Sequence, residues 1–419
     1  MKKIFTLIIL AATVLSLMTA AEAKRFGDDY QLEKVLILSR HNLRTPHINE
    51  IKELTPHKWF KWSAGSRELS LRGGLVETEL GQYFRKYLVD ENFMPENYLP
   101  AEGELRFYAN SRQRTVATAK YFSGGFLPVA NVTIEYKEPI EKSRDKTFNT
   151  RLTFLNDRVS TELEAQLLKL FGVNNPRDVE KKFSAEFALM AKVLDLKNSP
   201  YAKKTGDKIF RSDDAEFIIA DGKQPAFKGK LTMALDASDA LILQYYETGT
   251  AFGQKLNDKQ WKQVAKYVDV YNHMVAVPAA AINIAQPLIK VMNDEISNDS
   301  RKFTFLCGHD TNIGSVAGAL NVEEYSLPDT IELHTPIGCK FVVEKWRARD
   351  GEDYASICLV YPSSKQIQNI ETLDLDNPPK IFPLRLKGLQ ANSDGLYRFS
   401  DVQARFAEVL KQYDSLKQN

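Results

Sequence analysis

The chain has 419 residues, 43% of them hydrophobic, and a formal net charge of +2 from 56 Lys and Arg against 54 Asp and Glu. That length exceeds one ordinary core and leads to an expectation of two domains. The near balance of charge provides neither a global basic field for nucleic acid nor an acidic one that would gather metal ions.

The first stretch, "MKKIFTLIILAATVLSLMTAAEA", places Lys2 and Lys3 before an uncharged run at 4–21 and ends on "AEA", which fits a small-x-small cleavage rule. Residues 1–23 therefore read as a secretory signal peptide, with the periplasm as the expected location. An uncleaved anchor is the alternative, since the run approaches the roughly 20 residues that cross a bilayer. The small residues at its end and the polar sequence beyond favour cleavage, and no later apolar stretch is long enough to hold the chain in a membrane.

Short apolar runs follow at 35–38, 105–109, 132–136 and 303–307, then at 341–346 and 355–361, and each reads as a strand. Between the first two, "GLVETELGQYFRKYL" sets Leu75, Val76, Leu80, Tyr83, Phe84, Tyr87 and Leu88 on one helical face. From 145 to 273 the strand signals thin out and helical patterns dominate, as in "STELEAQLLKLFG", "SAEFALMAKVLDL", "SDALILQYYE" and "DKQWKQVAKYVDVYNHM". The expectation is an α/β fold whose catalytic domain comes from 24–144 and 274–419, with a central mixed, mostly parallel sheet, carrying a mostly helical inserted domain at 145–273. Three cysteines are too few for a disulfide scaffold. Cys339 and Cys358 lie in two runs joined by Asp350-Gly351, a hairpin signal. They either bridge the two strands or remain buried thiols, as Cys307 does.

Charge gathers where three of these strands end. "VLILS" runs into Arg40, His41 and Arg44; "LRFYA" runs into Asn110, Ser111, Arg112 and Arg114; "FTFLC" runs into Gly308, His309 and Asp310. Singly, these have ordinary readings: a surface basic turn, a solvated helix arginine, a core histidine beside an aspartate that caps a helix. Together they point elsewhere, because the carboxyl ends of strands in an open α/β sheet line its ligand crevice. Three arginines and two histidines suit a compact anion, since guanidinium forks match phosphate oxygens. A carboxylate among them makes sense as a proton donor to a leaving oxygen. Arginines around a histidine favour its neutral form, which leaves a ring nitrogen free to attack. The residues thus propose phosphoryl transfer through a phosphohistidine, with no cofactor. There is no G-x-S-x-G, P-loop or H-E-x-x-H motif, and with six scattered histidines and no C-x-x-C no dedicated metal site is expected.

"RHNLRTP", "NSRQRTVATA", "GHDTNI" and, at 335–338, "TPIG" together resemble the histidine acid phosphatases, in the two-domain branch that includes bacterial periplasmic phytases and glucose-1-phosphatases. The resemblance implies the histidine-phosphatase α/β sandwich with a helical cap. It implies His41 as nucleophile, Arg40, Arg44, Arg114 and His309 as the phosphate clamp, and Asp310 as the acid that protonates the leaving alcohol. Asn42 stands where most members have glycine, as in glucose-1-phosphatases, and His47 stands where phytases have threonine, here read as a surface histidine. "LILQYYETG" is similar to the glucose-1-phosphatase helix end, which implies a substrate-specificity role for Glu247 over the sugar. A carboxylate there accepts hydrogen bonds from hydroxyls and repels a substrate bearing several further phosphates.

The expected substrate is accordingly a small phosphomonoester, a sugar phosphate such as glucose 1-phosphate, with phytate as the alternative and a non-catalytic binder of phosphorylated ligands as a third reading. The chain is expected to be a monomer or homodimer, with neither nucleic acid nor membrane as a partner.

Overall fold

In the computed structural model, which describes residues 25–418 except 50 and 211–214, strand β1 (Tyr30–Arg40) runs through the middle of a sheet covered on both faces. Across positions 35–38 no side chain is more than 1% exposed. Alternate residues enter different cores: Val35 and Ile37 join one apolar cluster, Leu36 and Leu38 another. Successive side chains of a strand point to opposite faces, so an unbroken apolar run is what a doubly covered strand requires. The stretch read as a signal peptide lies outside the described residues.

After β1 come helix α1 (Leu71–Asp90), β2 (Leu105–Ala109), α2 (Gln113–Phe126) and the short β3 (Ile134–Glu135). Next are α3 (Asp157–Phe171), α4 (Val179–Lys182), α5 (Ser184–Val193), α6 (Pro200–Thr205), the strands β4 (Glu216–Ile218) and β5 (Ala226–Lys228), α7 (Lys230–Thr248) and α8 (Asp258–Met274). The chain returns through α9 (Pro278–Ser297), β6 (Phe303–Gly308), α10 (Asp310–Ala319), β7 (Lys340–Ala348) and β8 (Asp353–Tyr361). It closes with α11 (Ser364–Asn369), β9 (Lys380–Pro383), β10 (Tyr397–Arg398) and α12 (Phe399–Lys417). No single described helix is long and apolar enough to cross a membrane.

The main sheet has the order β10-β8-β7-β1-β6-β2-β3, with β9 beside β8. Its central strands β1, β6, β2 and β3 are parallel, and β7 to β10 complete the other side in antiparallel fashion. This is a mixed α/β sheet with a parallel centre. One face packs on α1 and α2, where Phe122 stacks on Phe305 at 4.3 Å and Phe126 on Phe303 at 4.5 Å. The other face packs on α9, α10 and α12 through Ile289, Val316 and Phe406.

The structure adds detail to two sequence expectations. The 145–273 stretch contains a two-stranded hairpin, β4 with β5, which the helical reading passes over because three-residue strands are too short to display an alternating pattern. The three cysteines are free and buried. A Cys339–Cys358 bridge is ruled out by the sheet itself: Cys339 belongs to the core on one face and Cys358 to the core on the other.

The parallel register brings three strand ends side by side. Arg40 of β1 lies opposite Gly308 of β6, and Ala109 of β2 lies opposite Cys307. The next residues along each strand, His41, His309 and Asn110, therefore emerge together.

Candidate active site

The turn after β1 is held from below by a buried network. The Lys340 ammonium donates to Glu77 at 2.8 Å, Ser39 Oγ at 3.1 Å and the Gly338 carbonyl at 3.2 Å, so each of its three protons has an acceptor. Glu77 in turn accepts from Asn42 Nδ2 at 2.8 Å, and Asn42 Oδ1 accepts from the Leu43 amide at 2.8 Å. Two glycines make room. At Gly73 a Cβ would collide with the Leu43 backbone, so the start of α1 can rest directly on the turn. At Gly338, where φ is +71°, a Cβ would lie 2.7 Å from Asn42 Nδ2.

His41 follows directly on β1, with its amide donating to the Gly308 carbonyl at 3.0 Å. Its Nδ1 lies 2.8 Å from the Asn42 carbonyl, which can only accept, so Nδ1 carries the proton and Nε2 keeps its lone pair. Burial, then the charges of Arg114, His309, Arg44 and Arg40, hold the imidazole pKa well below its ordinary value. His309 sits with its ring 5.4 Å from that of His41 and its Nε2 2.7 Å from Asn110 Nδ2. Burial and the same arginines, with Arg112, push its pKa down as well. Both histidines are thus kept neutral in a basic environment.

A cleft of about 330 Å³ opens over these groups. His41, Arg44, Arg114, His309 and Asp310 all line it, so residues more than 260 positions apart in the chain meet at one place as the three strand ends require. Arg114 forms no ion pair among the described residues, and its buried Nε has no hydrogen-bond partner. Burial, followed by the charge of Arg44, pushes its pKa down to about 9. A buried donor without a partner costs free energy, which an entering anion recovers. Arg44 faces the cleft with its charge shared, since Nη2 donates to both Asp239 oxygens at 3.0 Å.

Arg40 lies beneath the cleft. Its Nη1 donates to Glu332 Oε1 and to the Thr335 carbonyl, each at 2.5 Å, and its Nη2 is 3.3 Å from Asp310 Oδ2. Asp310 is the first residue of α10, with His309 as the N-cap, so the aspartate is not the cap itself. The cleft's other carboxylate, Asp145, is engaged by the Tyr108 hydroxyl at 2.5 Å and by Lys137 at 3.3 Å.

For Glu247 the structure gives a position and a partner. It lies in the last turn of α7 with Oε2 3.4 Å from Arg72 Nε, and it is not among the residues that line the cleft. The residue α7 presents to the site is Asp239, eight positions earlier and so about 12 Å back along the helix axis. His47 lies at the surface, 3.2 Å from Arg67. Residues that sequence reasoning missed are Asp239 and Glu332, which orient arginines, and Arg144 and Arg151 on the outer wall of the cleft. The Arg44–Asp239 and Arg40–Glu332 pairs span about two and about three hundred residues of chain, and no local spacing marks them.

Neutral imidazole, unpaired guanidinium and a carboxylate at the carboxyl ends of parallel strands define an α/β enzyme that handles compact oxyanions. The chain belongs to the histidine phosphatase superfamily (branch 2), whose description matches residues 31–361, and so to the histidine acid phosphatases, a family of phosphomonoesterases. It is 32% identical over 427 residues to a glucose-1-phosphatase of Providencia rettgeri, covering 98% of this chain and 99% of that protein. A glucose-1-phosphatase of Salmonella typhimurium (strain LT2) is also 32% identical, over 417 residues, 96% of this chain and 98% of the relative. In fold it matches the Hafnia alvei phytase with a TM-score of 0.83 at 24% identity, over 92% of this chain and 98% of that one. Membership of an enzyme family sets aside the reading of a non-catalytic binding protein.

Proposed function

We propose that this chain is an exported, periplasmic acid phosphatase that hydrolyses small sugar phosphates such as glucose 1-phosphate through a phosphohistidine at His41. The observation that carries the proposal is the tautomer of His41, whose Nδ1–H is committed to the Asn42 carbonyl while Nε2 is left with a lone pair. In the first step Nε2 bonds to phosphorus as the bond to the sugar oxygen breaks, and Asp310 gives that oxygen a proton. In the second, water attacks phosphorus, the N–P bond breaks, and the Asp310 carboxylate takes the proton from the water. Arg114, Arg44, Arg40 and His309 meet the charge that spreads over the equatorial oxygens, and this electrostatic contribution is the larger part of catalysis in such transfers. The two relatives named glucose-1-phosphatase support the choice of sugar phosphate. The lysines and apolar run of 1–23 support export.

A second reading, action on phytate or another multiply phosphorylated substrate, draws support from Arg112, Arg144 and Arg151 on the cleft wall and from the distance of Glu247 from it. His41→Ala is expected to reduce phosphate release to background and to abolish the labelled phosphoenzyme seen after a denaturing quench. Retained turnover would overturn the mechanism.

A further inference from the structure

Away from the catalytic cleft, the end of α8, the segment after α10 and the segment before β7 converge on a second cavity of about 210 Å³. His273, Glu324 and His334 project into it. Their nearest ligand atoms, two imidazole nitrogens and one carboxylate oxygen, all lie within 4.8 Å of one another. Glu324 Oε1 is 3.6 Å from His273 Nε2 and 3.5 Å from His334 Nε2. Those separations are long for charge-assisted hydrogen bonds, which close to about 2.7–2.9 Å. They match the edge of a tetrahedron around zinc, about 3.3–3.5 Å for ligands at about 2.0–2.2 Å from the ion. Glu324 Oε1 thus faces both imidazole nitrogens, and the three atoms are close enough to share one ion.

The groups behind the imidazoles have the arrangement that metal sites use. His273 Nδ1 lies 2.7 Å from the Asp269 carbonyl, so it must donate, and the lone pair of Nε2 is directed to the cluster. His334 Nδ1 is 3.5 Å from the carboxylate of the same Asp269, is buried, and has no hydrogen-bond partner. Asp269 is itself fixed by the Leu333 amide, which donates to its carboxylate at 3.1 Å. One residue, Asp269, thus stands behind both rings, with its main-chain carbonyl on His273 and its carboxylate 3.5 Å from His334, the kinds of group that orient imidazoles at zinc sites. The charged groups that line the same cavity are Glu323, Glu324 and Lys387, which with Asp269 leave the surroundings net negative, as a dication requires.

We propose that His273, Glu324 and His334 form a binding site for a divalent transition-metal ion of the zinc class, separate from the catalytic centre. Two imidazoles and one carboxylate leave the fourth position to water from the cavity. The ion would brace three segments that no strand pairing joins. One of them runs from Glu332 through His334 to Thr335, the stretch that carries both acceptors of Arg40 Nη1. The ion is therefore structural in the first instance, and catalysis at His41 proceeds without it.

The test uses untagged, chelator-stripped protein, equilibrium dialysis against zinc chloride with elemental analysis, and the visible absorption of the cobalt(II) form. The expected result is one zinc per chain, a tetrahedral cobalt spectrum and a raised melting temperature. Glu324→Gln, at a side chain 81% exposed and so harmless to folding, is expected to weaken binding about ten-fold or more. His273→Ala/His334→Ala is expected to abolish both the binding and the thermal shift, while His41→Ala leaves them intact. Absence of stoichiometric zinc in the wild type, full affinity in Glu324→Gln, or binding lost in His41→Ala and kept in the double variant would overturn the proposal.

Discussion

Arg40 Nη1 donates to Glu332 Oε1 across 2.5 Å, and neither side chain is more than 3% exposed. Glu332 is fully engaged: its other oxygen accepts from the Tyr246 hydroxyl at 2.9 Å and from the Ile337 amide at 3.3 Å. The pair fixes the guanidinium under the cleft, with its remaining edge toward Asp310. Glu332→Ala strands a buried charge and is expected to cost about 3–5 kcal/mol in denaturant unfolding at neutral pH. Glu332→Gln keeps an acceptor for Arg40 and is expected to cost less, with a fall in kcat/KM in both variants. An unchanged unfolding midpoint in Glu332→Ala would show that the pair carries no such weight.

Asp310 is assigned the proton for the leaving oxygen, and the demand for that proton depends on the leaving group. Asp310→Ala is expected to slow hydrolysis of alkyl phosphates such as glucose 1-phosphate by about 10²–10⁴-fold. Aryl phosphates with acidic phenol leaving groups should be slowed far less. Equal slowing across a series of leaving groups would remove the acid role from Asp310.

The outer wall of the cleft bears on the choice between substrates. Arg144 is exposed and, among the described residues, has no charged partner, while Arg151 makes one long hydrogen bond to the Gly222 carbonyl at 3.4 Å. Replacing both by alanine is expected to raise KM for a multiply phosphorylated inositol about ten-fold or more at low salt and to leave glucose 1-phosphate nearly unaffected. If wild-type kcat/KM is higher for phytate than for glucose 1-phosphate, the second reading replaces the first.

The depressed pKa values of His41 and His309 set a stability signature. In the unfolded chain both titrate near 6.5, whereas the fold holds them neutral to well below that. Below about pH 6.5 the unfolded state therefore binds up to two protons that the folded state refuses, so stability falls as pH drops, by up to about 1.4 kcal/mol per pH unit for each histidine. The loss ends once pH passes below the folded-state values, and above about pH 6.5 the contribution is constant. Melting temperatures of the wild type and a His41→Asn/His309→Asn variant, compared between about pH 7.5 and pH 5, are expected to diverge in the variant's favour as pH falls. Parallel curves would refute this origin.

Much of the molecule is legible from local pattern. The strand at 35–38 is an unbroken apolar run because helices cover both faces, and the clusters after three strands converge because β1, β6 and β2 are parallel neighbours. What escaped was set by distant contact. Glu332 has nothing around it that marks it as the partner of Arg40, and Asp239 has nothing that marks it as the partner of Arg44. His273, Glu324 and His334 show no metal-ligand spacing, since a helix end and two connecting segments supply them. Of the two readings open for Cys339 and Cys358 the free thiols hold, because Cys358 lies opposite Val342 and the two cysteines face opposite cores.

Asn42 fills the space in front of Gly338, where even a methyl group would come within 2.7 Å of its amide nitrogen. The two positions share one volume, so drift at either is gated by the other. With asparagine at 42 a side chain at 338 meets that amide, and with glycine at 42 the clash is relieved, leaving only the backbone's own preference at a φ of +71°. Motifs nearly three hundred residues apart along the chain thus share one steric constraint.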